Sequence, residues 1–179
     1  FLALILGPVG IYLLIKYILN IDGSEKNSLI IKASSFLGAL FYLLNIGTMQ
    51  HFIVPFEMFA TKFALLGFIY LFVIKYLFGG EKKNLIIFST LTLFSSSMAH
   101  TGTLWYVYYL GLALFIASFY ILKRHSVENL LHRSLILVGL TLLINSFWIL
   151  PNLYYGINYG ADVISSKINR LFTKEAFYF

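Results

Sequence analysis

The side chains of this protein that can do chemistry are few, and most fall in two stretches. His51, Glu57 and Lys62 lie within one short connection. A carboxylate and a cation at that spacing can bind a phosphate-linked or sugar substrate. A partly buried carboxylate can also act as a general base. Glu57 is thus the one candidate catalytic group, with no catalytic residue assigned outright, and His51 and Lys62 are candidates for substrate binding. The competing reading is a solvated interfacial helix with ordinary polar residues. No second histidine lies near His51, so no metal motif is formed. His100, beside Thr101, Gly102 and Thr103, joins the candidates because an ionisable group at membrane depth is usually functional; a capping or turn role competes. The other stretch is Asn145-Ser146-Phe147-Trp148-Ile149-Leu150-Pro151-Asn152. Asn145, Trp148 and Asn152 recur at i, i+3 and i+7, one face of a helix that survives Pro151. Proline lacks an N–H and disfavours a helical residue before it, so the helix is expected to end or kink there, and Asn152 to swing away. An amide in hydrocarbon is costly unless paired, so Asn145 is expected to face protein or water. All seven residues are expected to border one outward-facing cleft. Trp148 alone reads equally well as a member of an interfacial aromatic belt.

The elements that must position these groups are set by composition. Of 179 residues, 60% are hydrophobic and only 11% charged, and the mean hydropathy is +0.86. These values exclude a soluble domain, a disordered tail and a disulfide scaffold. There is no cysteine, so there is neither a thiolate metal site nor a cysteine nucleophile. The net charge of +6 does not point to nucleic acid, because basic residues in a membrane chain set topology. No P-loop, GxGxxG, HExxH or Gly-x-Ser-x-Gly pattern is present, and no cofactor is identified. The bilayer is the expected partner. Ser95, Ser96 and Ser97 read as hydrogen-bonders to backbone or to another helix. Ser34 with Gly38, and Ser35 with Ala39, are small-residue pairs that suit close helix packing.

The expected fold is all-α: a polytopic transmembrane helical bundle over 1–151, then an extracytoplasmic juxtamembrane segment over 152–179. About six spans of near-membrane length are expected, at 1–20, 29–46, 63–78, 85–100, 104–122 and 134–150. Residues 47–62 are expected to form a loop or interfacial helix, and 79–84 a tight turn. The 38 uncharged residues Leu85 to Leu122 are too long for one span and are divided by the polar run from Ser95 to Thr103. If the spans alternate, the connections 21–28, 79–84 and 123–133 share one face, which with its flanks holds nine of the 13 basic residues. The positive-inside rule makes that face cytoplasmic. The chain opens on Phe1 inside an apolar run and stops at Phe179 without a polar tail, so it is expected to be a piece of a longer protein.

The stretch Asn145 to Tyr155, an Asn followed by Phe-Trp and then aliphatic-Leu-Pro, resembles a segment of large polytopic glycosyltransferases of the class C superfold. The nearest in pattern are arabinofuranosyltransferase-like and 6-pyruvoyl-tetrahydropterin-synthase-related membrane proteins. Ala39 to Asn45 looks like a matching earlier element. The resemblance implies transfer of a sugar from a lipid-linked, polyprenyl-phosphate donor to an acceptor on the extracytoplasmic face of a prokaryotic cytoplasmic membrane, in building the cell envelope. It implies a catalytic acidic residue in the first outer loop, which would precede Phe1; neither Asp22 nor Asp162 matches it. A divalent metal is allowed by the resemblance only. The alternatives are a transporter or flippase core for a lipid or small solute, which should show buried charge or broken helices at mid-membrane, and a non-catalytic assembly subunit.

Overall fold

The computed structural model describes residues 2–21, 28–53, 57–96, 102–123, 127 and 129–165; of these, the side chains of 50–53, 57–59, 102–105, 123 and 161–165 are left undescribed. Its elements are α1 (Leu2–Ile21), α2 (Ser28–Leu44), α3 (Ile46–Ile53), α4 (Glu57–Gly79), α5 (Lys82–Ser95), α6 (Gly102–Lys123) and α7 (Leu130–Ser165). The fold is all-α, with no strand among the described residues. Three helices contain stretches long and apolar enough to cross a membrane: Leu2–Ile21, Ala60–Gly79 and Leu130–Gly160. Helix α2 and the 106–122 portion of α6 are apolar but shorter.

The chain divides into two compact units, Phe1–Ile144 and Asn145–Phe179. In the first, α4 is the central helix. Its Ile69, Val73, Tyr76 and Leu77 form the core with Phe88 of α5, Leu112 and Ile116 of α6, and Leu130 and Leu137 of α7. Half of the apolar window of α4 is buried, against 11% for that of α1. The outer face of α1 leaves Leu2, Ile5, Val9 and Leu13 exposed. A helix that is apolar all round yet covered on one side is compatible with lipid contact on the other.

Small residues bring the helices together. A Cβ on Gly67 of α4 would lie 2.5 Å from the Gly10 carbonyl carbon and the Ile11 nitrogen of α1, so the two backbones touch there. On α2, Ser35 and Ala39 are buried, and a Cβ on Gly38 would strike Ile15 of α1. Gly38 therefore marks the α1–α2 contact and the pair Ser35 and Ala39 is buried, whereas Ser34 is exposed. The Ser35 hydroxyl is satisfied within its own helix, donating to the Ile31 carbonyl at 2.7 Å.

The turn expected at 79–84 is shorter: α4 runs to Gly79 and α5 starts at Lys82, so only Gly80 and Glu81 lie between the helices. Gly80 adopts φ +67, which favours glycine, and its N–H donates to the Tyr76 carbonyl at 2.8 Å. Arg133 of α7 donates from Nη1 to the carbonyls of Leu77 and Phe78 at 2.7 and 2.8 Å, satisfying the α4 C-terminus. The region 85–122 contains two helices, α5 and α6, rather than one. However, α5 ends at Ser95 and has 14 residues, about 21 Å, short of the expected 85–100 span.

Two expectations are corrected. Helix α4 starts at Glu57 and not at 63, so Lys62 lies within the apolar helix and not in a loop or separate interfacial helix before it. A charge lowers the hydropathy of a sequence window, but one lysine does not break a helix. Helix α7 does not end at Pro151; it runs on to Ser165. Proline's φ is already helical, so its cost is one lost hydrogen bond. In apolar surroundings, continuing the helix satisfies every other backbone group.

Candidate functional site

The site is built around Lys62. Three helices position it: the second turns of α4 and α6 and the last turn of α5. The Lys62 side chain is only 5% exposed. Its Nζ donates to the Ser95 hydroxyl oxygen at 3.3 Å and lies 2.9 Å from the centroid of the Tyr108 ring. The Ser95 hydroxyl in turn donates to the Thr92 carbonyl at 3.0 Å. A relay thus runs from ammonium to hydroxyl to backbone. The electron-rich ring face offers the cation a second partner. Among the described residues no carboxylate lies within ion-pair distance of Lys62. Thr92, one turn before Ser95, is buried, and its Oγ1 has no hydrogen-bond partner among the described residues.

Among the described residues, the Ser95 hydroxyl is the one hydrogen-bond partner of Lys62 Nζ. A negatively charged group reaching Nζ would favour its charged form against the cost of burial.

The neighbouring helix end is well ordered by its own bonds. Tyr42 of α2 stacks on Phe63 with centroids 4.5 Å apart, and its hydroxyl donates to the Phe63 carbonyl at 2.9 Å. Asn45 breaks α2 from α3. Its Oδ1 accepts the Thr48 N–H at 2.9 Å, an N-cap for α3, and its Nδ2 donates to the Tyr42 carbonyl at 2.8 Å. Phe63 follows Lys62 directly, so this clasp fixes the start of α4.

Of the candidates His51, Glu57, Lys62 and His100, only Lys62 has a described side chain. His51 lies on α3 and Glu57 opens α4, but their side chains lie outside the described residues, as does the whole of His100. In the second unit, Asn145 is completely buried, as the cost of a bare amide requires, and its Oδ1 accepts the Trp148 indole N–H at 3.1 Å. Asn152 is exposed and does not join that pair. The expected i, i+3, i+7 face is therefore a pair and not a triplet.

Two contributors, Thr92 and Tyr108, escape a linear reading. Tyr108 and Tyr109 read as belt residues, yet Tyr108 packs on Lys62 and the Tyr109 hydroxyl donates to the Val138 carbonyl at 3.2 Å. Ser95 behaves as expected of a hydroxyl bonded to backbone, with the lysine contact added. A hint was present: Thr92 and Ser95 lie one turn apart on a helix otherwise rich in leucine and isoleucine.

No protein-family profile, no curated protein and no solved structure matches this chain.

Proposed function

We propose that this chain is the membrane portion of a glycosyltransferase that takes a sugar from a polyprenyl-phosphate donor and passes it to an acceptor on the extracytoplasmic face. The single observation supporting this reading is the buried Lys62 side chain, whose Nζ meets the Ser95 hydroxyl and the face of the Tyr108 ring. In this reading the phosphate of the donor supplies its counter-charge. Binding there would hold the leaving group while the acceptor oxygen attacks the anomeric carbon and the sugar–phosphate bond breaks. The chain would lie in a prokaryotic cytoplasmic membrane as a multi-pass protein, with the α4 N-terminus outward. The acid or base of the reaction would come from Glu57 or from outside this chain.

The same lysine also favours a second reading, a lipid or solute transporter, because a buried charge within a spanning helix is what such a protein requires. One variant of the full-length protein separates these readings from a structural role. Lys62→Met should stabilise the detergent-solubilised protein by about 1–4 kcal/mol, as replacing buried charge by apolar volume often does. It should also lower sugar transfer from a labelled polyprenyl-phosphate donor at least tenfold. Movement of the labelled lipid between leaflets, without transfer and dependent on Lys62, would favour the transporter. A destabilised Lys62→Met protein with normal transfer would leave Lys62 as a packing residue and remove the basis for both.

A further inference from the structure

At the other end of α4 lies a different cavity, of about 500 Å³, lined by Tyr17 of α1, Phe72, Lys75 and Gly79 of α4, and Glu81, Lys83, Asn84 and Ile87 around the start of α5. Its chemistry is cationic on one side and apolar on the other. Lys75 Nζ is held 5.5 Å from the Tyr17 ring centroid and 5.2 Å from that of Phe72, so the ammonium is fixed by ring faces and not by an acid. Lys83 adds a second, exposed ammonium. Glu81 occupies the N-cap of α5 without a side-chain cap; its Oε2 instead accepts the Asn84 side-chain N–H at 3.3 Å. The Asn84 N–H donates to the Glu81 carbonyl at 3.1 Å, so the first-turn amides left to another acceptor are those of Lys82 and Lys83. Arg133 stands just behind, against Gly80.

We propose that this cavity binds the phosphate head of an anionic membrane phospholipid, with Lys75 and Lys83 as the charged contacts and the α5 first-turn amides as the neutral ones. Phe72 and Ile87 form the wall for the glycerol and upper acyl carbons. A soluble phosphate would gain nothing from that wall. The position also fits: the cavity sits at the basic helix ends, where basic pockets between membrane helices take anionic head groups. The site is distinct from Lys62, which lies near the opposite end of the same helix, and it does not depend on the transferase reading.

The test uses the full-length protein in neutral detergent. Phosphatidylglycerol is titrated against phosphatidylcholine, and retained lipid is read by native mass spectrometry. The wild type should retain phosphatidylglycerol preferentially. Replacing each lysine should weaken that retention about fivefold, as expected for one basic residue at a membrane surface. Lys75→Gln with Lys83→Gln should therefore fall well below a charge-matched control, Lys32→Gln with Lys82→Gln, whose side chains are exposed and outside the cavity. Glu81→Gln, which removes the one acid in the cavity, should raise retention severalfold; it also carries the test if the double-lysine variant fails to fold. Equal losses in the lysine variant and the control, or unchanged retention in Glu81→Gln, would overturn the proposal. Soluble glycerol phosphate binding as tightly as the lipid would overturn the lipid as the source.

Discussion

The α1–α4 crossing offers the most stringent check on the packing described above. Replacing Gly67 by Ala puts a methyl carbon 2.5 Å from the Gly10 carbonyl carbon and the Ile11 nitrogen, and 3.0 Å from Gly10 Cα. Ordinary carbon contacts sit at about 3.5–4.0 Å. The obstruction is backbone, so no rotamer change relieves it, and α1 and α4 must separate by roughly 1 Å. A gap of that size forfeits a quarter to a half of each dispersion contact along the seam. The expected cost is about 1–3 kcal/mol, the usual range for overpacking, partly offset by alanine's better helix propensity, worth about 1 kcal/mol. The assay is reversible unfolding of the solubilised protein, followed by helicity. Gly139→Ala supplies the opposite sign: nothing lies within 4 Å of its added Cβ, so only the propensity gain remains. Gly7→Ala should fall between them, because its obstruction is the Phe63 ring, which can shift. If Gly67→Ala were as stable as Gly139→Ala, the backbone contact at this crossing would be wrong.

Three further outcomes follow from the other end of α4 and from the topology. Arg133→Ala should destabilise by about 1.5–3 kcal/mol, the worth of charge-assisted hydrogen bonds to buried acceptors, and Arg133→Lys should recover only part of it, because an ammonium lacks the fork; thermal unfolding of the three proteins reads this. Gly80→Ala should be destabilising through its φ of +67 and a Cβ placed 2.7 Å from the Arg133 guanidinium. Its effect should add less than fully to that of Arg133→Ala in a double-mutant cycle, since both break one cap. Reporters fused within 79–84 should read cytoplasmic and those within 100–103 external; the reverse result would invert the proposed orientation and move the Lys62 site to the inner face.

What the sequence disclosed, and what it withheld, can be traced to particular residues. Long apolar runs fix an all-α fold, and Gly79-Gly80 fixes a turn, because these are local properties. The run from Ser95 to Thr103 divides 85–122 for the same reason. Lys62 reads as part of a loop or interfacial helix outside the span because a hydropathy window registers its charge but not the Ser95 and Tyr108 partners that come from other helices. The Gly10–Gly67 contact joins two glycines that look unremarkable singly. Pro151 carried a local stop signal, yet the backbone's need for internal hydrogen bonds in an apolar setting outweighed it. The partnership of Asn145 with Trp148 was half legible: the cost of a buried amide required a partner, and the spacing placed Trp148 one turn away.

The contrast between the two cations nearest the ends of α4 bears on what Lys62 is for. Arg133 shows how this protein places a structural cation: half-buried, with two backbone carbonyls at 2.7 and 2.8 Å. Those acceptors would otherwise be orphaned at a helix end, so cation and helix satisfy each other. Lys62 is more deeply buried and more poorly served. Its hydroxyl contact is long at 3.3 Å, and Ser95 already has an acceptor in the Thr92 carbonyl, so the serine does not need the lysine. A methionine would fill the same volume without the desolvation cost. Under the proposed function, the negatively charged group that Lys62 would meet is the phosphate of a lipid-linked sugar, which also carries an apolar tail.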